Sequence, residues 1–236
     1  MSEFTQEQQE IQQKLAEELS NKRERLTRRV LDDLQDRYHQ SFEITRIIVT
    51  PGDVSTRMYL RTVDSPSIPF TVNVSASEGL SEDFISSGIL ASLCRKSESA
   101  IPGSAVCGRF VEEDPAEETD PDLSMEEYLR KHTVLGIHLY ILIPEDNEKS
   151  VQEILSCMND ISMSCDTDLV FRVWHMGMES FESAGQLFSE IPFVSRDILE
   201  NYPFLQTWSA KARDGAVMYF SPQEKQEGDS NGKTIY

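Results

Sequence analysis

The residue types best able to do chemistry are four histidines and four cysteines, and two of the histidines lie in strongly apolar sequence. His138 is in the apolar run 134–144, and His175 is in a second apolar run, 168–176. If the two runs are neighbouring strands, both imidazoles could approach Tyr140, Cys157 or Cys165. An imidazole beside a thiol pairs a base with a nucleophile, which would suit a small cofactor-independent hydrolase. Against this, a histidine inside a strand is more often a core residue whose hydrogen bonds are satisfied within the protein. No carboxylate lies at a sequence spacing typical of one that orients a catalytic histidine.

Motifs of well-known enzyme sites are absent from the chain. It contains no G-x-S-x-G, G-x-G-x-x-G, G-x-x-x-x-G-K-[ST] or H-E-x-x-H sequence. The cysteines form no C-x-x-C pair, and the acidic stretch 112–122 lacks the spacing and the glycine of an EF-hand loop. We therefore expect no cofactor and no metal, and the sequence favours a non-enzymatic function.

The charge of the chain restricts its partners. Asp and Glu number 41 against 22 Lys and Arg, which gives a formal charge of -19. Such a chain repels phosphate backbones and anionic lipid, so we expect no nucleic acid and no membrane as partners, whereas a basic protein remains suitable.

The first residues show no export signal and no apolar run is long enough to span a bilayer, which predicts a cytoplasmic protein. An exported chain whose signal had been removed would show the same features.

A long helix is predicted near the N-terminus. Residues 5–38 contain no Pro or Gly, and their apolar residues recur at helical spacing. Because steps of four residues drift around a helix, one straight face cannot bury both ends. We expect the patch from Leu26 to Tyr38 to dock on the core. Ile11, Leu15 and Leu19 would then bind a protein partner or a second copy of the chain, unless this end of the helix frays.

The same helix carries the main basic cluster of the chain, Lys22, Arg23, Arg25, Arg28 and Arg29. One interpretation is a docking site for an acidic partner. The favoured interpretation is a solvated face, since Glu24 lies four residues before Arg28 and Arg29 lies four before Asp33. Pairs at this spacing neutralise one another along a helix.

Three strand-like segments follow the helix, at 42–50, 55–63 and 69–75, and predict an antiparallel meander. The pattern D-x-x-x-x-Y from Asp33 to Tyr38, followed by Phe42-Glu43-Ile44, resembles uncharacterised Firmicute α+β proteins of the surface-lipoprotein or mobile-element type. The resemblance covers the first third of the chain and implies a bacterial α+β protein. The chain differs from these proteins in having no lipobox cysteine, and the resemblance supplies no catalytic residue.

The remaining segments complete an α+β prediction. A helix is expected from a cap at Ser81 to about Lys96, then a short strand at 106–111. Residues 134–144 are apolar at nearly every position, which is typical of a central strand covered on both faces. A helix to about Met163 and the strand 168–176 would make a β-α-β unit. Helical pieces broken at Pro192 and Pro203 are expected over 181–191 and 195–215, and 216–220 could form a last edge strand.

These segments predict a domain organisation. A helix-plus-meander half would span 1–111, an acidic linker 112–122, a β-α-β half 123–221 and a disordered tail 222–236. The function that fits best is an acidic binding or regulatory protein, of the adaptor, chaperone-like or immunity type, that engages a protein partner.

Overall fold

The fold is α+β, with a long N-terminal helix and two sheets. A computed structural model describes residues 6–49, 55–75, 79–112, 120, 122–163, 165, 167–213 and 216–224. The sheets are ordered β1-β2-β3-β4 (sheet A) and β5-β6-β7-β8-β9 (sheet B). The helices are α1 (Gln6–Tyr38), α2 (Phe84–Ala100), α3 (Met125–Lys131), α4 (Val151–Met163), α5 (Met178–Glu190) and α6 (Arg196–Leu199). The strands are β1 (Phe42–Val49), β2 (Thr56–Thr62), β3 (Pro69–Ser75), β4 (Gly79–Glu82), β5 (Ala105–Glu112), β6 (Val134–Pro144), β7 (Leu169–Met176), β8 (Gln206–Arg213) and β9 (Ala216–Glu224).

Sheet A confirms the predicted meander, because β1, β2 and β3 pair antiparallel in sequence order. Its inner face carries Met58, Leu60, Phe70 and Val72, all fully buried. The docked part of α1 covers this face, as the spacing of its apolar residues predicts: Leu26, Val30, Leu31, Leu34 and Tyr38 all belong to this core.

The fourth strand of sheet A was not predicted from the sequence. The expected helix start at Ser81 is wrong, since residues 79–82 are extended and pair with β3, and α2 begins at Phe84. Glu82 is therefore a strand residue and does not lie in the first turn of the helix. The two adjacent acidic residues suit a helix start equally well, which is why local sequence favoured the wrong boundary.

Sheet B contains the predicted β-α-β unit. β6 and β7 pair in parallel through the register Ile137↔Leu169, and α4 lies between them in the chain. β6 lies inside the sheet between β5 and β7, and β7 is the middle strand. The other pairs of sheet B are antiparallel.

The C-terminal part of the chain differs from the prediction. Residues 206–213 form β8 and not a helix. Trp208, Ala210 and Ala212 are buried and alternate with the more exposed Ser209 and Lys211, which is a strand pattern within a helix-favouring composition. The edge strand predicted at 216–220 is confirmed as β9, which continues to Glu224. The start of the predicted disordered tail, 222–224, is thus strand, and 225–236 lie outside the described residues.

Helix α2 connects the two sheets. Phe84, Ile85 and Ile89 in its first half pack on the inner face of sheet A, whereas Leu90 and Leu93 pack on sheet B with α4. β5 follows α2 and pairs with β6, so by its hydrogen bonds this strand belongs with the second half of the chain. Most of the acidic stretch 112–122 lies outside the described residues, and its role as a linker between two halves stays a prediction.

Candidate functional site

The first half of α1 presents the exposed apolar side chains that the sequence singled out. Ile11, Leu15 and Leu19 have exposed fractions of 53%, 53% and 65%. Val30, Leu34 and Tyr38, further along the same helix, are buried against sheet A. A 33-residue helix is about 50 Å long, and its second half alone is long enough to span the four strands of sheet A. We call Ile11, Leu15 and Leu19 the helix stripe.

A buried carboxylate anchors the second half of α1. The Glu82 side chain is fully buried and accepts hydrogen bonds from the Tyr38 hydroxyl and from Arg37 Nη1, the latter at 3.2 Å. Its other oxygen accepts from the backbone N–H of Phe84 at 2.5 Å, in the first turn of α2. Burial and the neighbouring carboxylate raise the pKa of Tyr38. One acidic residue thereby joins α1, β4 and α2.

The basic cluster of α1 lies on an exposed face, as predicted. Arg28 pairs with Glu24 at 3.2 Å, and Arg29 pairs with Asp33 at 3.7 Å, both at the i,i+4 spacing. These four side chains are between about half and three-quarters exposed, so the pairs contribute little to stability. Their main effect is to neutralise part of the cluster.

An open groove separates this region of α1 from the edge strand β1. Its volume is about 500 Å³, and its walls are Ser20, Arg23, Glu24 and Thr27 from α1 and residues 44–47 from β1. β1 also contains a bulge between Ile44 and Arg46. Such irregularities hinder the addition of another strand to a sheet edge. The exposed surface of α1 is therefore a better docking element than the edge of β1.

The histidine and cysteine candidates do not form one site. His138 and His175 are on neighbouring strands, but His138 shares a face with Tyr140 and Leu142, whereas His175 shares the opposite face with Ile143. The register also places them five residues apart, about 16 Å along the strands. Burial lowers the pKa of both histidines, and Arg109 lowers that of His138 further.

The two candidate thiols belong to the apolar core near α4. Cys165 is buried there, and Cys157 packs against the same cluster with its thiol 3.5 Å from the carbonyl oxygen of Ala100. Burial also raises the pKa of the other two thiols, that of Cys94 to about 12. Cys157 and Cys165 thus pack in or against this apolar core, and the partly buried His175 lies on the same face of sheet B as the core residue Ile143.

A larger cavity lies beside α2, with a volume of about 530 Å³. Its walls are mostly apolar and include Phe84, Ile89, Leu93 and Met125, and Lys96 is the charged residue among them.

The described residues contain no group of three or more His, Cys, Asp or Glu side chains that could hold a metal ion. In the described part of the chain, no helix is both long and apolar enough to cross a bilayer.

Glu82 and a group of arginines on sheet B, described below, were not identified from the sequence. The arginines come from two strands and a short helix that are far apart in the sequence, so no local spacing relates them. Residues 79–82 contain a single apolar residue, Leu80, so no alternation in the sequence indicated β4.

Comparison with known proteins supports the fold alone. No family model and no curated protein matches the sequence. The fold is similar to the crystal structure of a DUF5037 family protein from Ruminococcus gnavus ATCC 29149. The TM-score is 0.61 at 12% sequence identity, over 80% of this chain and 91% of that chain. The two proteins thus share an α+β architecture.

Proposed function

We propose that this protein is a non-enzymatic binding protein that engages a protein partner through the first half of α1. The exposure of the helix stripe carries the proposal. Ile11, Leu15 and Leu19 lie at i, i+4 and i+8, so they form a narrow apolar strip, and each exposes more than half of its surface. Apolar side chains at this spacing are what a helix buries in the groove of a partner.

Helix energetics also favour a partner. A helical segment as short as the undocked first half of α1, about 15 residues, is marginal in water without packing, because packing supplies most of the stability of protein helices. Full burial of one Leu or Ile side chain contributes roughly 1.5 to 3 kcal/mol. This is an upper bound here, since each stripe residue is already partly covered by its own helix. Burial of all three side chains would contribute no more than about 4.5 to 9 kcal/mol.

The charges around the stripe indicate the chemistry of the partner. Residues 6–20 contain Glu7, Glu10, Glu17 and Glu18 against Lys14, a net charge of -3 (four acids and one base). A partner with an apolar groove and a basic rim would complement both the stripe and these flanks. The overall charge of -19 would speed the encounter with such a partner.

The test replaces the three stripe residues together by serine, as I11S/L15S/L19S. The matched control, Q12S/Q13S/N21S, changes three exposed polar residues of the same helix. Cross-linking in extracts of the native host, at low and high salt, should recover a partner with the wild type and the control but not with the stripe variant. Sedimentation of the purified proteins would separately reveal self-association. Unchanged partner recovery and unchanged mass in the stripe variant would reject the proposal.

A further inference from the structure

One face of sheet B is only half covered. On β6, Ile137, Leu139 and Ile141 point into the core beneath α4, so the alternate residues His138, Tyr140 and Leu142 define the other face, here called the outer face. At one end of this face Leu142 and Trp174 are buried under α5 and the segment 191–204. Towards the other end the residues are partly or fully exposed. They include Arg109, His138, Arg172 and Lys211.

Two arginines flank Tyr140 on the outer face. The Tyr140 ring lies 4.9 Å from the Phe193 ring and 5.1 Å from the Trp174 ring, between ring centroids. The Arg109 guanidinium lies over Phe193, 4.8 Å from its centroid. The Arg172 guanidinium lies 5.9 Å from the centroid of Trp174. Aromatic rings thus hold both guanidinium groups at the sides of the tyrosine.

A third arginine completes the group. Arg196, in α6, pairs with Glu200, and Arg172 approaches the same carboxylate at 3.8 Å. Arg109, Arg172 and Arg196 all lower the pKa of Tyr140 electrostatically, against the larger effect of burial, so all three lie within electrostatic reach of it. Burial lowers the pKa of Arg172, and Arg196 lowers it too, as expected for two cations held together.

The charges of this group are not balanced by the acidic residues paired with it. Arg172 and Arg196 share Glu200, so the three guanidinium groups together with this one carboxylate have a formal charge of +2. Next to them on the outer face, Lys211 and Arg213 share Asp168. Such a concentration of positive charge is unusual in a chain of net charge -19, because like charges that are held together repel one another.

We propose that Arg109, Arg172 and Arg196 form a binding site for a phosphate monoester on the outer face, with the Tyr140 hydroxyl as a further donor. A phosphate monoester carries a charge near -2 at neutral pH, which matches the local charge of +2. Guanidinium groups bind phosphate oxygens through paired N–H donors. A carboxylate, with one negative charge and two oxygens, would leave part of the site unsatisfied. The net charge of the whole chain disfavours a polyanion such as nucleic acid, so the ligand is a single phosphate group on a small molecule or on a side chain.

The experiment is calorimetric titration of the full chain with inorganic phosphate at constant ionic strength, with acetate as the carboxylate comparison. Saturable phosphate binding is expected, with little or no binding of acetate. Arg109→Gln and Arg196→Gln remove side chains that are largely or half exposed, so both variants should fold. Each should bind phosphate about tenfold more weakly, since each loses a charge-assisted hydrogen bond.

The control is Arg29→Gln, which removes one positive charge from the distant exposed face of α1. It should bind phosphate like the wild type. Titrations with glycerol 2-phosphate and with a phosphoserine peptide would separate the two sources, and tighter binding of either one than of inorganic phosphate would identify it. Absence of saturable phosphate binding, equal binding of acetate, or an equal loss in the Arg29 variant would each overturn the proposal.

Discussion

The hydroxyl of Tyr38 donates a hydrogen bond to Glu82, and this contact joins the last residue of α1 to the last residue of β4. The Glu82 side chain is fully buried and also accepts from Arg37 and from the backbone N–H of Phe84. The Tyr38 ring packs against Phe84 at a centroid distance of 4.7 Å. The position of α1 on sheet A therefore depends on a polar network inside an apolar core.

Tyr38→Phe should destabilise the protein by about 1 to 3 kcal/mol, because it removes one donor from a buried carboxylate while keeping the ring. The free energy of unfolding from chemical denaturation gives the measurement. Tyr219→Phe, at a position on β9 that is 39% exposed, should change the same quantity by less than about 0.5 kcal/mol. Equal stability of the Tyr38 variant and the wild type would show that the hydroxyl contributes nothing to the docking of α1.

Asp83→Asn should stabilise the protein at neutral pH but not in acid. Burial, with a smaller contribution from neighbouring Glu82 and against hydrogen bonds from Thr71 and Ser87, raises the pKa of Asp83 from 3.8 to about 6. The folded protein therefore binds the proton more tightly than the unfolded chain. Stability from this group is fully present below pH 3.8 and is lost as the pH rises through about 6.

The asparagine variant has no buried charge to lose stability as the pH rises. Its amide oxygen can still accept a hydrogen bond from the backbone N–H of Thr71, which lies 2.6 Å from the Asp83 carboxylate in the wild type. The stability difference, variant minus wild type, should grow by on the order of 2 to 3 kcal/mol between pH 4 and pH 8. Urea denaturation at a series of pH values measures it. A difference that stays constant with pH would contradict the raised pKa.

Much of the fold follows from sequence periodicity, and the failures have a common physical cause. β6 was predicted with its observed bounds, because an eleven-residue apolar run has few alternatives to a doubly covered strand. β4 and β8 were missed because tertiary pairing decided their conformation. Residues 206–213 contain alanines and lysine that suit a helix, yet burial of Trp208 between Phe171 and Tyr219 fixes them as a strand.

The two candidate sites also differ in how far the sequence alone could predict them. The helix stripe is visible in the sequence, since its residues lie within nine positions on one helix. The site around Tyr140 could not be seen, because Arg109, Arg172 and Arg196 meet only through the order of strands in sheet B and the position of α6. Long-range pairing of this kind leaves no trace in local spacing.

Gly108→Ala should destabilise the protein by about 1 to 3 kcal/mol through overpacking. An added Cβ at this buried position in β5 would lie 2.7 Å from Cδ2 of Leu139 and 3.1 Å from the carbonyl oxygen of His138. Gly88→Ala in α2 is the matched control, because its nearest neighbour would be Ile68 at 3.9 Å. Alanine should there stabilise the helix by up to about 1 kcal/mol. Thermal unfolding of both variants tests the pair, and a destabilised Gly88 variant beside an unaffected Gly108 variant would contradict the packing of β5 on β6.

Hydrogen exchange should divide α1 into two parts. Amides of residues 11–20 should exchange far faster than those of residues 30–38, because Val30, Leu34 and Tyr38 are buried in the core while the stripe residues are exposed. In the isolated protein the first part opens by local fraying, whereas the second part opens only when the core is disrupted. Mass spectrometry of peptic fragments measures both parts in one experiment.

The stripe variant I11S/L15S/L19S supplies the control for this measurement. In the isolated protein it should leave the exchange of residues 30–38 unchanged, since the stripe makes no contribution to the core. Uniform protection along α1 in a monomeric sample would show that contacts within the protein stabilise the first half of the helix. The stripe would then not be a surface left open for a partner. Protection of residues 11–20 that appears only when a partner is added, and only in the wild type, is the result that a docking helix requires.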